Sequence, residues 1–207
     1  MHIAFINPRG KRKAYKEAKW MPLGPIGLAT ILAQNHNVKF YNEEHWDIPK
    51  TVIDSADVVC ITGMSHQAIG IDKWVKSSTA LNKLTIVGGI HVTLNNVSYK
   101  KTITVMGAGE DCIDSIVKTG KYNIKSKQLV LPNLDNYPWP NRKMFGWGSY
   151  SERIGRLPAI RVLGAIGCPF NCSYCCNRQL TGGRMVHRNP QIIGQEIAEA
   201  KRQLHIK

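Results

Sequence analysis

Three cysteines lie close together in the stretch Gly167-Cys168-Pro169-Phe170-Asn171-Cys172-Ser173-Tyr174-Cys175, separated by three and then two residues. A four-iron cluster normally takes four cysteine thiolates. Three thiolates at this spacing hold three corners of such a cluster and leave one iron without a protein ligand. A small molecule with an amine and a carboxylate can chelate that iron. The spacing of Cys168, Cys172 and Cys175 therefore predicts a 4Fe-4S site that is open for chemistry.

This stretch resembles the motif of the radical S-adenosylmethionine superfamily, in which an aromatic residue stands just before the last cysteine. Tyr174 occupies that position. The resemblance implies that Tyr174 lies near the adenine of S-adenosylmethionine. It also implies that the cluster passes an electron from an external donor to that cofactor, which splits into methionine and a 5'-deoxyadenosyl radical.

The remaining cysteines leave a second interpretation of the motif open. Cys172 and Cys175 could instead be half of a zinc site, with the other half drawn from Cys168, Cys176 or His187 at spacings unusual for zinc. We interpret Cys176 as a bystander to the cluster. Two further cysteines, Cys60 in an apolar run and Cys112 at the start of a helical pattern, are typical of small buried residues.

Composition narrows the class of protein. The chain of 207 residues suits one or two domains. No run approaches the ~20 apolar residues of a membrane span, and the apolar start is too short for a signal peptide. Free cysteines in a cluster loop suit a reducing compartment. We therefore predict a cytoplasmic protein without membrane association.

The net charge of +14 is partly local, because basic residues crowd positions 9–19. A solvated loop explains such a run as well as an anion-binding role does. The specific alternatives are cofactor phosphate, an acidic partner or nucleic acid. No basic motif with interleaved aromatic residues favours nucleic acid.

Residues 1–122 alternate short apolar runs with helical patterns. Buried strands are predicted at 2–6, 38–41, 58–62, 84–87 and 103–106. Helices are predicted at 26–34, 68–81 and 111–119, with weaker patterns at 48–54 and 94–99. This alternation predicts an α/β fold, a flavodoxin-like doubly wound parallel sheet in the order 2-1-3-4-5.

Small and polar turns follow four of these strands: Asn7-Pro8-Arg9-Gly10, Gly63-Met64-Ser65-His66, Gly88-Gly89-Ile90-His91 and Gly107-Ala108-Gly109-Glu110. Ligands of open α/β sheets bind outside the carboxyl ends of the strands, and glycine lets the backbone approach a ligand closely. Together the turns predict a crevice for a large polar cofactor.

A second resemblance, to cobalamin-dependent radical S-adenosylmethionine proteins, covers nearly the whole chain. It is carried by residues 21–29, 87–93 and 107–110, and by a proline-rich segment at 131–140. The D-x-H-x-x-G motif that supplies an axial histidine in many cobalamin proteins is absent. His66 and His91 remain candidates for an approach to the cobalt or the nucleotide tail. The resemblance implies that cobalamin is bound by Ser65, Gly88, Gly89, His91, Gly107 and Gly109.

The same resemblance sets the domain boundaries. Residues 1–122 would form the cobalamin-binding domain, 123–157 the linker, and 158–207 the start of an incomplete, TIM-like βα barrel. In that last part, residues 159–165 predict a buried strand before the cysteine loop. Asn189-Pro190 predicts the start of an amphipathic helix. Later barrel units are missing, so we expect little or no turnover unless a longer product or a second chain completes the barrel.

Three functions remain in order of preference. The first is a cobalamin-binding radical enzyme that transfers a methyl group to an unactivated carbon of an unknown substrate. The second is a module that binds cofactors or a partner without its own catalysis. The third is a zinc-stabilised protein that binds nucleic acid through its positive charge.

Overall fold

A computed structural model describes residues 1–10, 20–121, 131–146 and 152–204. Within these residues, a parallel five-stranded sheet has the order β2-β1-β3-β4-β5, as predicted. Its strands are β1 (His2–Asn7), β2 (Asn37–Asn42), β3 (Val58–Thr62), β4 (Leu84–Gly88) and β5 (Ile103–Thr104). β5 is shorter than the predicted strand at 103–106.

Helices lie on both faces of the sheet. Successive side chains of a strand point to opposite faces, so each helix layer packs against alternate strand residues. Ile3, Phe5 and Cys60 pack towards α1 (Leu23–Ala33) and α4 (Ile113–Thr119). Ala4, Ile6 and Val59 pack towards α2 (Ala68–Ala80) and α3 (Ile90–Asn95). The strands β1 and β3 are therefore buried on both sides, which explains their nearly continuous apolar sequences.

Three predicted helical segments differ most from the structure, while α4 begins two residues later than predicted. α1 begins at Leu23 rather than residue 26, because prolines such as Pro25 are compatible with the first turn of a helix. The helix predicted at 94–99 is α3, which begins earlier and ends where Asn96 adopts a left-handed conformation with φ 52°. The weak pattern at 48–54 forms a 3-10 turn at Lys50–Ile53.

The segment at 131–146 packs against the core that Ile3, Phe5 and Cys60 form with α1 and α4. Phe145 is buried beside Phe40, with ring centroids 5.8 Å apart. The backbone N–H of Asn141 donates to Thr30 Oγ1 at 2.9 Å, and the Tyr137 hydroxyl donates to Asp111. The segment therefore adds to the core that lies between the sheet and helices α1 and α4. The domain boundaries 1–122, 123–157 and 158–207 remain predictions.

The predicted buried strand at 159–165 is wrong. The observed strand β8 is Ala165–Gly167, and Leu163 and Gly164 before it are exposed. Carbonyls in residues 161–164 accept hydrogen bonds from arginine side chains and from the Arg188 N–H, so no neighbouring strand is needed. The apolar pattern suggests a strand, but arginine side chains and the Arg188 N–H, rather than a neighbouring strand, supply the hydrogen bonds to these carbonyls.

The described C-terminal residues form two small antiparallel ladders. β6 (Arg153–Ile154) pairs with β7 (Leu157–Pro158), and β8 pairs with β9 (Met185–His187). α5 (Asn177–Thr181) and β9 lie between the cysteine loop and α6 (Pro190–Leu204). The predicted helix after Asn189 is confirmed, but the simple strand-loop-helix unit is wrong. The barrel itself stays a prediction.

Candidate functional site

A crevice of about 930 Å³ opens at the carboxyl ends of the parallel strands. That volume is at the upper end of the roughly 300–1,000 Å³ typical of small-molecule pockets. Its floor is apolar, with Phe5, Cys60 and Ile86 from the sheet. The crevice therefore suits a large ligand with both apolar and polar parts.

Four of the predicted cobalamin-binding residues line this crevice: Gly88, Gly89, Gly107 and Gly109. Gly89 has φ 95°, and a Cβ atom there would stand 2.6 Å from Thr62 Oγ1. A side chain at position 89 would be strained and would collide with the neighbouring strand end. Glycine at this turn thus keeps the backbone at the crevice wall.

Ser65 and His91 are not among the residues that line the crevice, although their neighbours His66 and Ile90 are. The two side chains lie together just outside it, with Ser65 Oγ 3.5 Å from His91 Nδ1. Asn95 Nδ2 donates to Ser65 Oγ at 3.2 Å. Their proposed contact with cobalamin therefore requires a ligand that extends beyond the cavity.

A polar network forms the wall of the crevice near β1 and β2. Gln67 Nε2 donates to the Pro8 carbonyl at 2.6 Å and to Glu44 Oε1 at 3.0 Å. Asn7 Nδ2 donates to Asn42 Oδ1 at 2.8 Å. His66 Nε2 lies 3.3 Å from Glu44 Oε1. These contacts fix the turns after β1 and β3, and they leave His66 at the crevice.

Glu43, which follows β2, links that strand end to the turn after β1 and to α2. Its carboxylate accepts hydrogen bonds from Lys73 Nζ at 2.6 Å, Trp74 Nε1 at 2.7 Å and the Arg9 N–H at 3.1 Å. Burial alone would raise the pKa of Glu43, but the hydrogen bonds from Lys73, Trp74 and Arg9 and the Lys73 charge outweigh it and lower the pKa. The ionised form therefore stabilises the fold.

We expect Glu43→Gln to lower the free energy of unfolding by about 1.5–3 kcal/mol at pH 7, the range for hydrogen bonds to charged groups. Because the folded pKa is depressed, the carboxylate's contribution is complete above the unfolded pKa of about 4.3 and is lost as the pH falls through the folded pKa. Urea unfolding at pH 7, 5 and 3 should show the gap between variant and wild type shrinking. An equal gap at all three pH values would contradict the linkage.

Arg9 is the part of the basic segment that the structure describes, since positions 11–19 lie outside the described residues. Its Nη2 atom is 2.9 Å from Asp47 Oδ1, and its Nε atom donates to the Glu43 carbonyl. At this position the positive charge is used within the fold. The nucleic-acid hypothesis remains a prediction.

The C-terminal segment reaches the crevice, which we do not predict from the sequence. Arg161 lines it, with the guanidinium carbon 4.8 Å from the centre of the Trp20 ring, which also lines it. Arg161 donates to the Met21 carbonyl and, at 2.9 Å, to Glu152 Oε1. A charged residue inside a predicted buried strand was the signal that could have exposed this role.

Glu110 adds a carboxyl group to the crevice rim. Burial raises the pKa of Glu110, and the neighbouring Asp111 charge adds to the rise, against backbone hydrogen bonds that lower it. A raised pKa favours the neutral carboxyl, which donates a hydrogen bond. The rim thus carries a carboxyl group whose ionised form is less favoured than that of an exposed glutamate.

The cysteine loop lies in the open. Cys172, Cys175 and Cys176 are exposed, and Cys168 is half-buried. The Cys175 N–H donates to the Cys172 carbonyl at 3.1 Å, and the Cys168 N–H donates to the Arg184 carbonyl at 3.1 Å. Tyr174 is 90% exposed. Free thiols are the right donors for an iron-sulfur cluster, and the open loop leaves room for one.

The thiols do not converge on one point in this structure. Among the described residues, no group of three or more His, Cys, Asp or Glu side chains has a metal-binding arrangement. Cys60 is buried in β3, and burial raises the pKa of its thiol to about 12, as expected for a structural cysteine. Cys112 is half-buried, with Sγ 3.5 Å from the Gly109 carbonyl.

Fold and crevice together define a Rossmann-like α/β protein with a ligand site at the carboxyl edge of its sheet. No helix in the described ranges is both long and apolar enough to span a membrane.

Comparisons with known proteins relate the chain to methyltransferases at low identity. Bacteriochlorophyllide d C-12(1)-methyltransferase of Chlorobaculum tepidum is 24% identical over 182 residues, covering 86% of this chain and 40% of the relative. The C-8(2)-methyltransferase of that organism is 21% identical, covering 84% and 40%. An uncharacterized methyltransferase of Pyrococcus horikoshii is 21% identical, covering 86% and 45%. No family model matches. The chain thus spans less than half the length of these relatives.

Proposed function

We propose that the chain carries the cofactor-binding part of a cobalamin-dependent radical S-adenosylmethionine methyltransferase. The observation that carries this proposal is the crevice, lined by four glycines of the strand-end turns and by Arg161. Arg161 lies seven residues before Cys168, so one short segment connects the crevice wall with the first thiol. The names of the relatives support methyl transfer as the reaction.

Each proposed cofactor has residues whose chemistry fits it. Cys168, Cys172 and Cys175 would hold the 4Fe-4S cluster, and the exposed Tyr174 ring would lie against the adenine of S-adenosylmethionine. The crevice would hold cobalamin against its apolar floor. When bound, the cluster supplies the electron that cleaves S-adenosylmethionine, and cobalamin supplies the methyl group. The described residues of the chain would bind these groups and orient them.

A module that binds cobalamin or a partner without its own cluster is the second candidate. The separated thiols of the described loop favour it. Cobalamin retention without bound iron would distinguish this candidate from the first. The zinc-stabilised alternative predicts stoichiometric zinc instead.

Gly109→Leu tests the crevice as the cobalamin site. A Cβ atom at Gly109 would stand 3.4 Å from Leu28 Cδ2, a side chain that also lines the crevice. The larger residue should fill part of the cavity without a positive φ to strain it. We expect cobalamin affinity to fall at least ~10-fold, about 1.4 kcal/mol, measured by equilibrium dialysis and cobalt analysis.

Gly194→Leu is the matched control, because Gly194 lies on α6 with open space around its Cβ position. This variant should bind cobalamin as the wild type does. Equal cobalamin affinity of the wild type and both variants would contradict the crevice as the binding site. If the wild type does not bind cobalamin, cobalamin is not its cofactor.

A further inference from the structure

A buried ion network lies between the segment at 131–146, the residues that lead to the thiols, and α6. Glu196 accepts from Arg142 Nη2 at 2.7 Å on one carboxylate oxygen and from Arg188 Nη1 at 2.7 Å on the other. All three side chains are at most 5% exposed. Asp135 Oδ1 stands 3.7 Å from Arg188 Nε and balances the second positive charge.

The two arginines also hold the backbone that leads to the thiols. Arg142 Nη2 donates to the Arg161 carbonyl at 2.8 Å, and Arg188 Nη1 donates to the Leu163 carbonyl at 2.9 Å. The Arg188 backbone N–H donates to the Gly164 carbonyl at 2.9 Å. Because residues 161–164 belong to no sheet, these donors replace the strand partners that would otherwise fix their course.

Little else is buried around this segment. Among residues 152–202 as described, the buried side chains are Thr181, Arg188, Glu196 and Ala200. A buried ion pair is often no more stabilising than apolar residues of the same volume. Arginine does offer a fixed fork of donors that can join a carboxylate to a carbonyl oxygen. The network therefore supplies position more than stability.

We propose that Glu196 is a positioning residue, which sets Arg142 and Arg188 and through them the path of residues 161–164, which lead from the crevice into β8 and Cys168. A role of Glu196 in catalysis rests on the proposed function, because it requires the thiols to be cluster ligands. A role of Glu196 in positioning the backbone is independent of that function, because it concerns the metal-free chain. Arg161 at the crevice and Cys168 at the loop are then fixed by the same carboxylate.

Glu196→Gln in the metal-free, reduced chain tests the positional claim. Loss of the carboxylate charge should release residues 161–164 and make opening of the adjoining β8–β9 ladder easier, so that Cys168 reacts with iodoacetamide at least ~10-fold faster. Peptide mass spectrometry separates Cys168 from the other cysteines. Cys60, buried in β3, reports global unfolding and should stay unreactive.

Glu199→Gln is the matched control, because Glu199 lies on the same helix and pairs with the exposed Arg202 at 2.7 Å. It should leave the Cys168 rate unchanged. Arg188→Lys keeps the charge but loses the fork, and should accelerate Cys168 as Glu196→Gln does. If Glu196→Gln unfolds the chain and makes Cys60 reactive, the Cys168 rate of Arg188→Lys tests the positioning role instead. An unchanged alkylation rate of Cys168, in a variant whose Cys60 stays unreactive, would overturn the proposal.

A spectroscopic readout connects this claim to the cluster. In anaerobically reconstituted, reduced protein, Glu196→Gln should keep its iron but lose the change in the electron paramagnetic resonance signal caused by S-adenosylmethionine. Glu199→Gln should keep that change. If the wild type forms no cluster, the proposed function fails, and the alkylation rates still decide the role of Glu196. An unaltered cofactor response in Glu196→Gln would contradict a positioning role.

Discussion

Replacing Cys168, Cys172 and Cys175 together by serine is expected to reduce the iron of anaerobically reconstituted protein from about four atoms per chain to nearly none. The three thiols are free and lie within one exposed loop. Serine hydroxyls are poor ligands for iron-sulfur clusters, which are held by thiolates. Iron and sulfide analysis, together with the visible absorption of the cluster, measures the loss.

Cys176→Ser is the matched control for the cysteine variants. Cys176 is also exposed and is next to Cys175, but it lies outside the predicted triplet. It should keep the full iron content. Unchanged iron in the triple variant would contradict the cluster assignment, and a loss caused by Cys176→Ser alone would make Cys176 a ligand. Stoichiometric zinc in the wild type would favour the zinc alternative.

Trp74→Ala is expected to cost about 3–5 kcal/mol of the free energy of unfolding, the range for truncation of a buried aromatic residue. Trp74 is fully buried on α2, in the core cluster that contains Ala4 and Val59 of the sheet. Its removal leaves a cavity and deprives the Glu43 carboxylate of a 2.7 Å hydrogen bond. Urea unfolding followed by far-ultraviolet circular dichroism measures the change.

Trp74→Phe separates the two parts of that cost. Phenylalanine fills much of the volume but donates no hydrogen bond, so we expect a smaller loss of about 1.5–3 kcal/mol. Similar losses for both variants would assign the effect to the hydrogen bond. A loss below about 1 kcal/mol for Trp74→Ala would contradict the core role of this side chain.

The sheet domain could be predicted from sequence because its signals are local. Apolar runs such as Val58–Thr62 mark strands buried on both faces, and the helical patterns between them leave few topologies for a parallel sheet. The strand order was confirmed. Glycine turns at residues 88–89 and 107–109 marked the crevice for the same reason, since all follow strand ends on one edge.

The C-terminal part was harder to predict because its structure depends on contacts distant in sequence. Residues 159–165 have the apolar character of a buried strand, yet their course is set by Arg142 and Arg188. The contact between Arg161 and Trp20 joins positions 141 residues apart, and the only local sign of it is a charged residue within an apolar run. Ser65 and His91 follow strand ends but point outside the cavity lining.

Electron paramagnetic resonance of the reconstituted, reduced protein with and without S-adenosylmethionine tests the central claim most directly. A cluster that Cys168, Cys172 and Cys175 hold, with its fourth iron open, should give a four-iron signal that changes shape when the cofactor binds and disappears in Cys168→Ala. A cluster signal that ignores the cofactor in the wild type, or one that persists unchanged in Cys168→Ala, would contradict the proposed site.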